Sequence, residues 1–489
     1  MSNGAWLGVD LGTQGVRALA VSSGGGVLAR AARPLTSRRD GPRHEQDPEQ
    51  WWSALKEVCR ATTEALGPMP IAAVAVCGTS GTIVLVDAEG DPLSPGLMYD
   101  DSRAGEEAAR VNEVGSTVWE SLGYRIQTSW ALPKLLWLVR EHRGLAGGAR
   151  LSHQVDFVNR RLVGGEVPAD SSNALKTGYD LLHDAWPNEV MAELGVGEGT
   201  LPEVVRSGTQ LGVVGRSGAE ATGIAAGTPV IAGMTDGCAS QLAAGALSVG
   251  HWNSVLGTTL VLKGVAAEPI RDPNGAVYSH RSPDGLWLPG GASSVGAGAL
   301  SERFPGRALA ALDRQAAERE PAAVIAYPLV SRGERFPFAV PEAKAFMLGE
   351  PADEVDHFAG LLQGVAYVER LCFDYLNHLG APTDGELSIT GGATRSLYWC
   401  QLRTDVLGRG AQLLEEPEPG FGMALLAASC ELGLADAAAE MVHVREVIEP
   451  RPDRAERFRE PYLRLVDELE RRGWLEHTVA EHARVRSGR

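Results

Sequence analysis

The stretch Gly8-Val9-Asp10-Leu11-Gly12-Thr13-Gln14-Gly15 decides how the chain is read. Apolar residues precede it, and Val16-Arg17-Ala18-Leu19-Ala20-Val21 follows. Two β-prone runs around a glycine-bounded polar turn predict a hairpin. The first strand ends on Asp10, which holds that carboxylate at the mouth of the turn. Gly12 and Gly15 lack a β-carbon, so backbone N–H groups can approach a bulky anion, and Thr13 adds a hydroxyl. One fixed negative group beside a phosphate cradle suits a magnesium nucleotide and an acceptor hydroxyl. A capping Asp on a plain glycine turn accounts for the same residues without any ligand.

The device recurs at His251-Trp252-Asn253-Ser254-Val255-Leu256-Gly257-Thr258-Thr259-Leu260-Val261-Leu262-Lys263, again strand, Leu-Gly-Thr, strand. Two phosphate-sized hairpins half a chain apart predict a duplicated α/β unit with nucleotide held between the copies. The second hairpin has no Asp at the position of Asp10, so one copy serves acceptor and metal and the other only phosphate.

At 489 residues the chain exceeds a single core, and two domains with a tail are expected. The blocks read from the sequence are residues 1–248, 249–449 and 450–489, the last a surface helix. With 62 acidic against 45 basic residues the net charge is −17. No basic stretch is dense enough to track a nucleic-acid backbone, so nucleic acid is excluded as a partner. No apolar run approaches the roughly 18 residues of a membrane span, and no signal pattern opens the chain. The six cysteines are scattered, without metal-ligand spacing, which predicts free buried thiols in a reducing cytoplasm and no structural zinc.

Several shorter stretches carry candidate chemistry. Asp47-Pro48-Glu49-Gln50 predicts a helix start, with Asp47 as N-cap, Pro48 at the first position and Gln50 completing a capping box. The apolar run Ile71–Val76 predicts a buried strand that ends in Gly78-Thr79-Ser80-Gly81-Thr82, where open α/β sheets place ligands. Of the pair Asp100-Asp101, one is expected as a helix cap and the other as a solvated charge. Lys134 opens a helix, Leu132 to Glu141, and is expected to extend as a solvated stem. Ser171 to Lys176 reads as part of a long polar connection. Asp236 lies at a strand-to-helix junction, where a plain N-cap competes with a site role. Glu354 to Leu379 is the longest predicted helix, Gly391-Gly392-Ala393 a turn that lets a ring or phosphate lie on bare backbone, and Gly420 to Ala428 a close-packing helix.

In their order along the chain, these motifs resemble the FGGY carbohydrate kinases, actin-like enzymes that phosphorylate sugars with ATP. The resemblance rests on Asp10-Leu11-Gly12-Thr13, Lys134-Leu135-Leu136-Trp137-Leu138, the Asp236 junction, Leu256-Gly257-Thr258-Thr259, Gly391-Gly392-Ala393 and the final small-residue helix. Ala131 stands where the family usually has Pro, Ser or Thr before the lysine. It implies an α/β fold of two actin-like (ribonuclease H-like) domains with an ATP and sugar cleft between them. Within the family the chain is most similar to pentulose kinases of the plant and cyanobacterial D-ribulokinase type. That similarity rests on Gly78–Thr82, Asn173-Ala174-Leu175-Lys176-x-Gly178-Tyr179, Thr235-Asp236 and Val277-Tyr278-Ser279-His280-Arg281.

The resemblance implies Asp236 as general base and Asp10 as the residue that binds acceptor sugar and the magnesium shell. Ser80 and Asp101 are implied as further sugar contacts. Gly12, Thr13, Gln14, Gly257, Thr258 and Thr259 are implied at the ATP phosphates, and Gly391, Gly392 and Ala393 at the adenosine. The cofactors are then ATP and Mg2+, the partners small molecules, and a homodimer is an allowed assembly. The implied reaction makes D-ribulose 5-phosphate from D-ribulose. Xylulokinases of the family carry Gln-Met-His-Gly where this chain has Thr79-Ser80-Gly81-Thr82, and Asp-Asn where it has Asp236-Gly237. The alternatives are a D-xylulose, other sugar or polyol kinase, or a non-kinase actin-like ATPase or sugar sensor.

Overall fold

The computed structural model describes residues 4–142 and 148–488. The chain divides into two α/β units, each with its own sheet. The first comprises Met1–Gly245, His280–Leu286 and Glu416–His443; the second comprises Ala246–Ser279, Trp287–Glu415 and Val444–Arg489.

The sheet of the first unit has the strand order Gln210–Val213, Pro229–Ile231, Ile71–Gly78, Ala5–Leu11, Gly15–Val21, Val27–Pro34. The last three are antiparallel neighbours, formed by the predicted hairpin and the strand that follows it. Ile71–Gly78 and Pro229–Ile231 add in parallel. Ala5–Leu11 is central and buried at every position, which is why it reads as a near-continuous apolar run. The helix Pro48–Leu66 starts as expected, with Asp47 accepting from the backbone N–H of Glu49 at 3.0 Å. The capping box is not made, because the Gln50 amide oxygen instead accepts from the Thr36 hydroxyl at 2.8 Å. A second sheet of this unit orders Arg38–Asp40, Arg43–Gln46, Gly96–Leu97, Ile83–Val86 and Arg150–His153.

The second unit repeats the plan. Trp287–Ser293, Leu260–Gly264 and Trp252–Leu256 are antiparallel, Leu387–Thr390 and Ala411–Leu414 join in parallel, and Val444–Ile448 closes that edge. The long helix Glu354–His378 is capped by Asp353, which accepts from the Asp356 N–H at 2.8 Å. Beneath the hairpin, Glu369 and Arg403 form a fully buried ion pair at 2.7 Å. Both also bond the hydroxyl of Ser254, at 2.6 and 2.8 Å, which fixes the strand leading into the turn.

Two features differ from the linear blocks. The helix Pro419–Leu432, read with the second domain, lies in the first unit against Ala5–Leu11. Small residues permit this. A β-carbon on Gly8 would stand 1.8 Å from the carbonyl of Gly420, and one on Gly422 2.0 Å from that of Ala239. The tail belongs to the second unit rather than forming a separate surface element. Helix Pro452–Arg471 buries Phe458, Tyr462, Leu463, Leu465, Val466 and Leu469, and Tyr462 donates to Asp374 at 2.5 Å. Residues 171–177 are a short helix and a 3-10 turn rather than an open connection, capped by Asp170. Five cysteines are buried and free as expected, whereas Cys430 is exposed. No helix among the described residues is long and apolar enough to cross a membrane.

Candidate active site

In the first unit the two singled-out aspartates converge. Asp10 is 4% exposed at the end of the central strand. Its register partners are Arg17 on the antiparallel side and Cys77 on the parallel side. The Cys77 thiol donates to Oδ1 at 3.7 Å, and the Arg17 guanidinium donates to Oδ2 at 3.3 Å. Burial first, and then the charge of Asp236, push the Asp10 carboxyl up to about 6, against the pull of Arg17. A second carboxylate whose charge raises the proton affinity of Asp10 lies close enough to share its site.

Asp236 arrives from the neighbouring strand. The bridge between Gly78 and Thr235 brings the junction to the end of Ile71–Gly78. Thr235, not Asp236, is the N-cap, and Asp236 is the first helical residue. Its carboxylate is half-buried and accepts from the Gly237 N–H at 2.7 Å. Behind it, the buried Ser172 hydroxyl accepts from the Thr235 N–H at 3.2 Å and lies 3.1 Å from Nδ1 of buried His280. This contact fastens the turn that presents Asp236.

The first turn is closed by the Gly12 N–H donating to the Gly15 carbonyl at 3.0 Å. A β-carbon on Gly12 would lie 3.7 Å from Asp10 Oδ1, so glycine leaves the flank of that carboxylate open. Gln46 anchors the loop, donating to the Thr13 carbonyl at 2.7 Å while accepting from Trp51 at 2.7 Å. Among the described residues no three His, Cys, Asp or Glu side chains are grouped to hold a metal ion. The donor set at Asp10 fits a magnesium ion that keeps most of its shell as water and phosphate oxygen.

Ser80 and Asp101 lie on two loops of the same unit. In the first loop, Thr79 and Thr82 hydroxyls meet at 2.5 Å, and Thr79 bonds the side-chain oxygen of Gln154 at 2.9 Å. The Ser80 hydroxyl has no hydrogen-bond partner although it is buried, and neither has the Gln154 amide nitrogen. Asp101 is fully buried and is neither a helix cap nor a solvated charge, because Arg103 grips it at 2.6 and 3.0 Å and the His44 N–H donates to it at 2.7 Å. Asp100 does not cap a helix either; it pairs with His44 at 2.5 Å and Arg39 at 2.8 Å. Lys134 is likewise buried rather than solvated, its ammonium donating to the carbonyls of Gly81 and Met98, each at 2.7 Å.

In the second unit the other motifs come together. The Gly257 N–H donates to the Thr259 carbonyl at 3.0 Å, closing a turn with Thr258 exposed at its tip. The Ala297 N–H returns to the Gly257 carbonyl at 2.9 Å and that of Gly298 to Thr258 at 3.1 Å, a support the sequence did not disclose. Gly391 adopts φ +91°, and a β-carbon there would strike the Leu256 carbonyl at 2.6 Å. The Gly391–Ala393 turn therefore packs directly on the hairpin. Gly392 is exposed, and a β-carbon there would meet only Arg395 at 3.6 Å, so this residue offers the bare backbone.

Arg17, Cys77, Gln154, Ser172 and His280 were not singled out as site residues. Only the cross-strand register of Arg17 with Asp10 could be read from a hairpin in sequence; the rest depend on contacts between distant segments.

Known carbohydrate kinases match nearly the whole length of the chain. The profile of the FGGY family of carbohydrate kinases, N-terminal domain, matches residues 5–243, and that of the C-terminal domain matches residues 252–430. The chain is 32% identical over 449 residues to a xylulose kinase of Streptomyces coelicolor, covering 88% of this chain and 89% of the relative. It is 26% identical over 422 residues to a xylulose kinase of Escherichia coli, covering 83% of this chain and 85% of the relative. The crystal structure of a xylulose kinase from Rhodospirillum rubrum superposes with a TM-score of 0.86 at 27% identity, over 95% of this chain and 99% of that one. The chain belongs to the FGGY family of carbohydrate kinases.

Proposed function

We propose that this protein uses ATP to phosphorylate the terminal hydroxyl of a ketopentose, with D-ribulose as the preferred substrate. The observation that carries this reading is the convergence of Asp10 and Asp236, one buried and coupled to the other's charge, beside a glycine turn. Magnesium-bound ATP would supply the phosphoryl group and the countercharge for its transfer. Asp236 takes the proton of the terminal hydroxyl as its oxygen bonds to phosphorus and the bond to departing ADP breaks. Asp10 orients the same hydroxyl and would hold the water shell of a magnesium ion bound there. Gly12 and Gly257 close their own turns and contribute space, leaving Thr13, Gln14, Thr258 and Thr259 to meet phosphate oxygens. Gly391, Gly392 and Ala393 carry the adenosine.

The choice of sugar rests on the loop at the end of Ile71–Gly78. Thr79 and Thr82 are engaged with each other and with Gln154, so Ser80 is the loop hydroxyl with an unmet bond. A sugar hydroxyl placed to meet it stabilises one C3 epimer over the other. The resulting preference for D-ribulose over D-xylulose is roughly tenfold or more in kcat/KM, the scale of one unmade hydrogen bond. Asp101 contributes to sugar binding through the Arg103 pair that holds its loop. The second reading, D-xylulose as preferred substrate, is favoured by the names of the curated relatives. Steady-state efficiencies for both epimers, with the parent and with Ser80→Ala, separate them. Efficiency that favours D-xylulose, or a Ser80→Ala enzyme equal to its parent, contradicts the D-ribulose assignment.

A further inference from the structure

Lys134 has a fully buried ammonium whose two short bonds go to backbone carbonyls, not to an acid. Those carbonyls belong to the two loops that carry the proposed sugar contacts. Gly81 directly follows Ser80. The Met98 carbonyl also accepts from the Asp101 N–H at 3.0 Å, so it opens the turn that presents Asp101. Three residues along the same helix, on the same face, the ring of Trp137 lies 4.8 Å beneath the Arg103 guanidinium. Arg103 in turn holds Asp101 at 2.6 Å. The Ser80 carbonyl is held from a second side by Lys176 at 3.2 Å. One helical face thus grips both loops, and the spacing Lys134-x-x-Trp137 follows from that task.

A burial cost falls on the ammonium. Desolvation pushes the Lys134 amine down to about 7, although Asp101 and Asp100 pull the other way. A norleucine-like apolar stem would fill the same space without that cost. What the ammonium adds is a three-pronged donor that ties two carbonyls together at fixed spacing.

We infer that Lys134 is a positioning residue of the acceptor site, setting the distance between the Ser80 and Asp101 loops and through it the fit of the sugar. The inference rests on the proposed reading that these loops bind the acceptor. It assigns Lys134 no contact with nucleotide, so its removal acts on sugar alone.

The test uses Lys134→Met, which keeps an apolar stem, and Lys134→Gln, which keeps an uncharged N–H donor group on a shorter stem, each with and without Ser80→Ala. Sugar affinity is read by calorimetry with D-ribulose and D-xylulose and by KM; nucleotide affinity is read with ATP. The expected result is a rise of about tenfold or more in sugar KM and dissociation constant for Lys134→Met, less for Lys134→Gln, with the KM for ATP within about twofold of the parent. Ser80→Ala is expected to cost less in the Lys134→Met background than in the parent, because the first change already misplaces that loop. Unchanged sugar affinity, fully additive effects, or equal loss of sugar and ATP binding in both variants overturns the inference, the last making Lys134 a folding residue only. A parent that binds neither ketopentose contradicts the functional reading itself, before any variant is compared.

Discussion

Asp10 and Asp236 reach one site from neighbouring strands but in different settings. Asp10 is buried between Cys77 and Arg17, whereas Asp236 is half-buried on a helix's first turn with its carboxylate aimed by the Gly237 N–H. That contrast suits a fixed anchor and an accessible base. Asp236→Ala should lower kcat on the order of 100-fold or more, while a nucleotide titration finds ATP affinity near that of the parent. Near-normal turnover in the folded variant would return Asp236 to a purely structural place. A second residue controls stability with pH. Asp170 is 2% exposed, and burial first, then the charge of Asp156, push its carboxyl from 3.8 up to about 7 against the help of Asn173 and His153. The folded state therefore holds a proton that the unfolded chain releases. This contribution to stability is complete below about pH 4 and is lost as pH rises through about 7, with a slope of at most ~1.4 kcal/mol per unit. Urea unfolding of Asp170→Asn at pH 5 and pH 7 should show a smaller decline over that interval than the parent; an equal decline would assign the effect elsewhere.

At the scale of elements, the two hairpins were legible because glycine, threonine and flanking β-prone residues are local signals. The helix capped at Asp47 was legible for the same reason, and Glu354–His378 through its length and apolar stripe, whereas its cap at Asp353 came only from the structure. Lys134 and Asp101 were misread because nothing local announces burial: the Lys134 partners Gly81 and Met98 come from other segments, and although Arg103 is near Asp101 in sequence, the His44 N–H that also meets it is not. The His280–Ser172–Thr235 contact joins three distant segments and was equally invisible. The glycine pair at the second hairpin divides into two tasks that sequence alone did not separate. Gly391 is required by its φ and by the Leu256 carbonyl, while Gly392 stands clear of its surroundings. Gly392→Val should therefore leave the unfolding midpoint close to that of the parent while weakening ATP binding and sparing sugar binding, as read by calorimetry with each ligand alone. Equal loss of both ligands would indicate damage to the unit rather than a blocked nucleotide.

The whole molecule is two copies of one sheet plan, and the duplication follows from the repeated strand, Leu-Gly-Thr, strand pattern. The return of Glu416–His443 to the first unit was not legible, since the small residues of Pro419–Leu432 state that a helix can pack closely but not against which sheet. The assignment of acceptor to the first unit and of nucleotide mainly to the second predicts distinct footprints in hydrogen exchange, with residues 12–14 of the first unit also answering to nucleotide. D-ribulose should slow exchange in peptides covering residues 78–82 and 98–103, and an ATP analogue in peptides covering 256–259 and 391–393. Sugar protection confined to the second unit would contradict that division.

The central claim is ketopentose-dependent transfer from ATP, and release of ADP measured with and without sugar tests it most directly. The account predicts little release with ATP alone, strong release on adding D-ribulose, weaker release with D-xylulose, and a pentulose 5-phosphate formed in step with ADP. Release that is the same without sugar would identify an ATPase, and no release with any ketopentose would contradict the account.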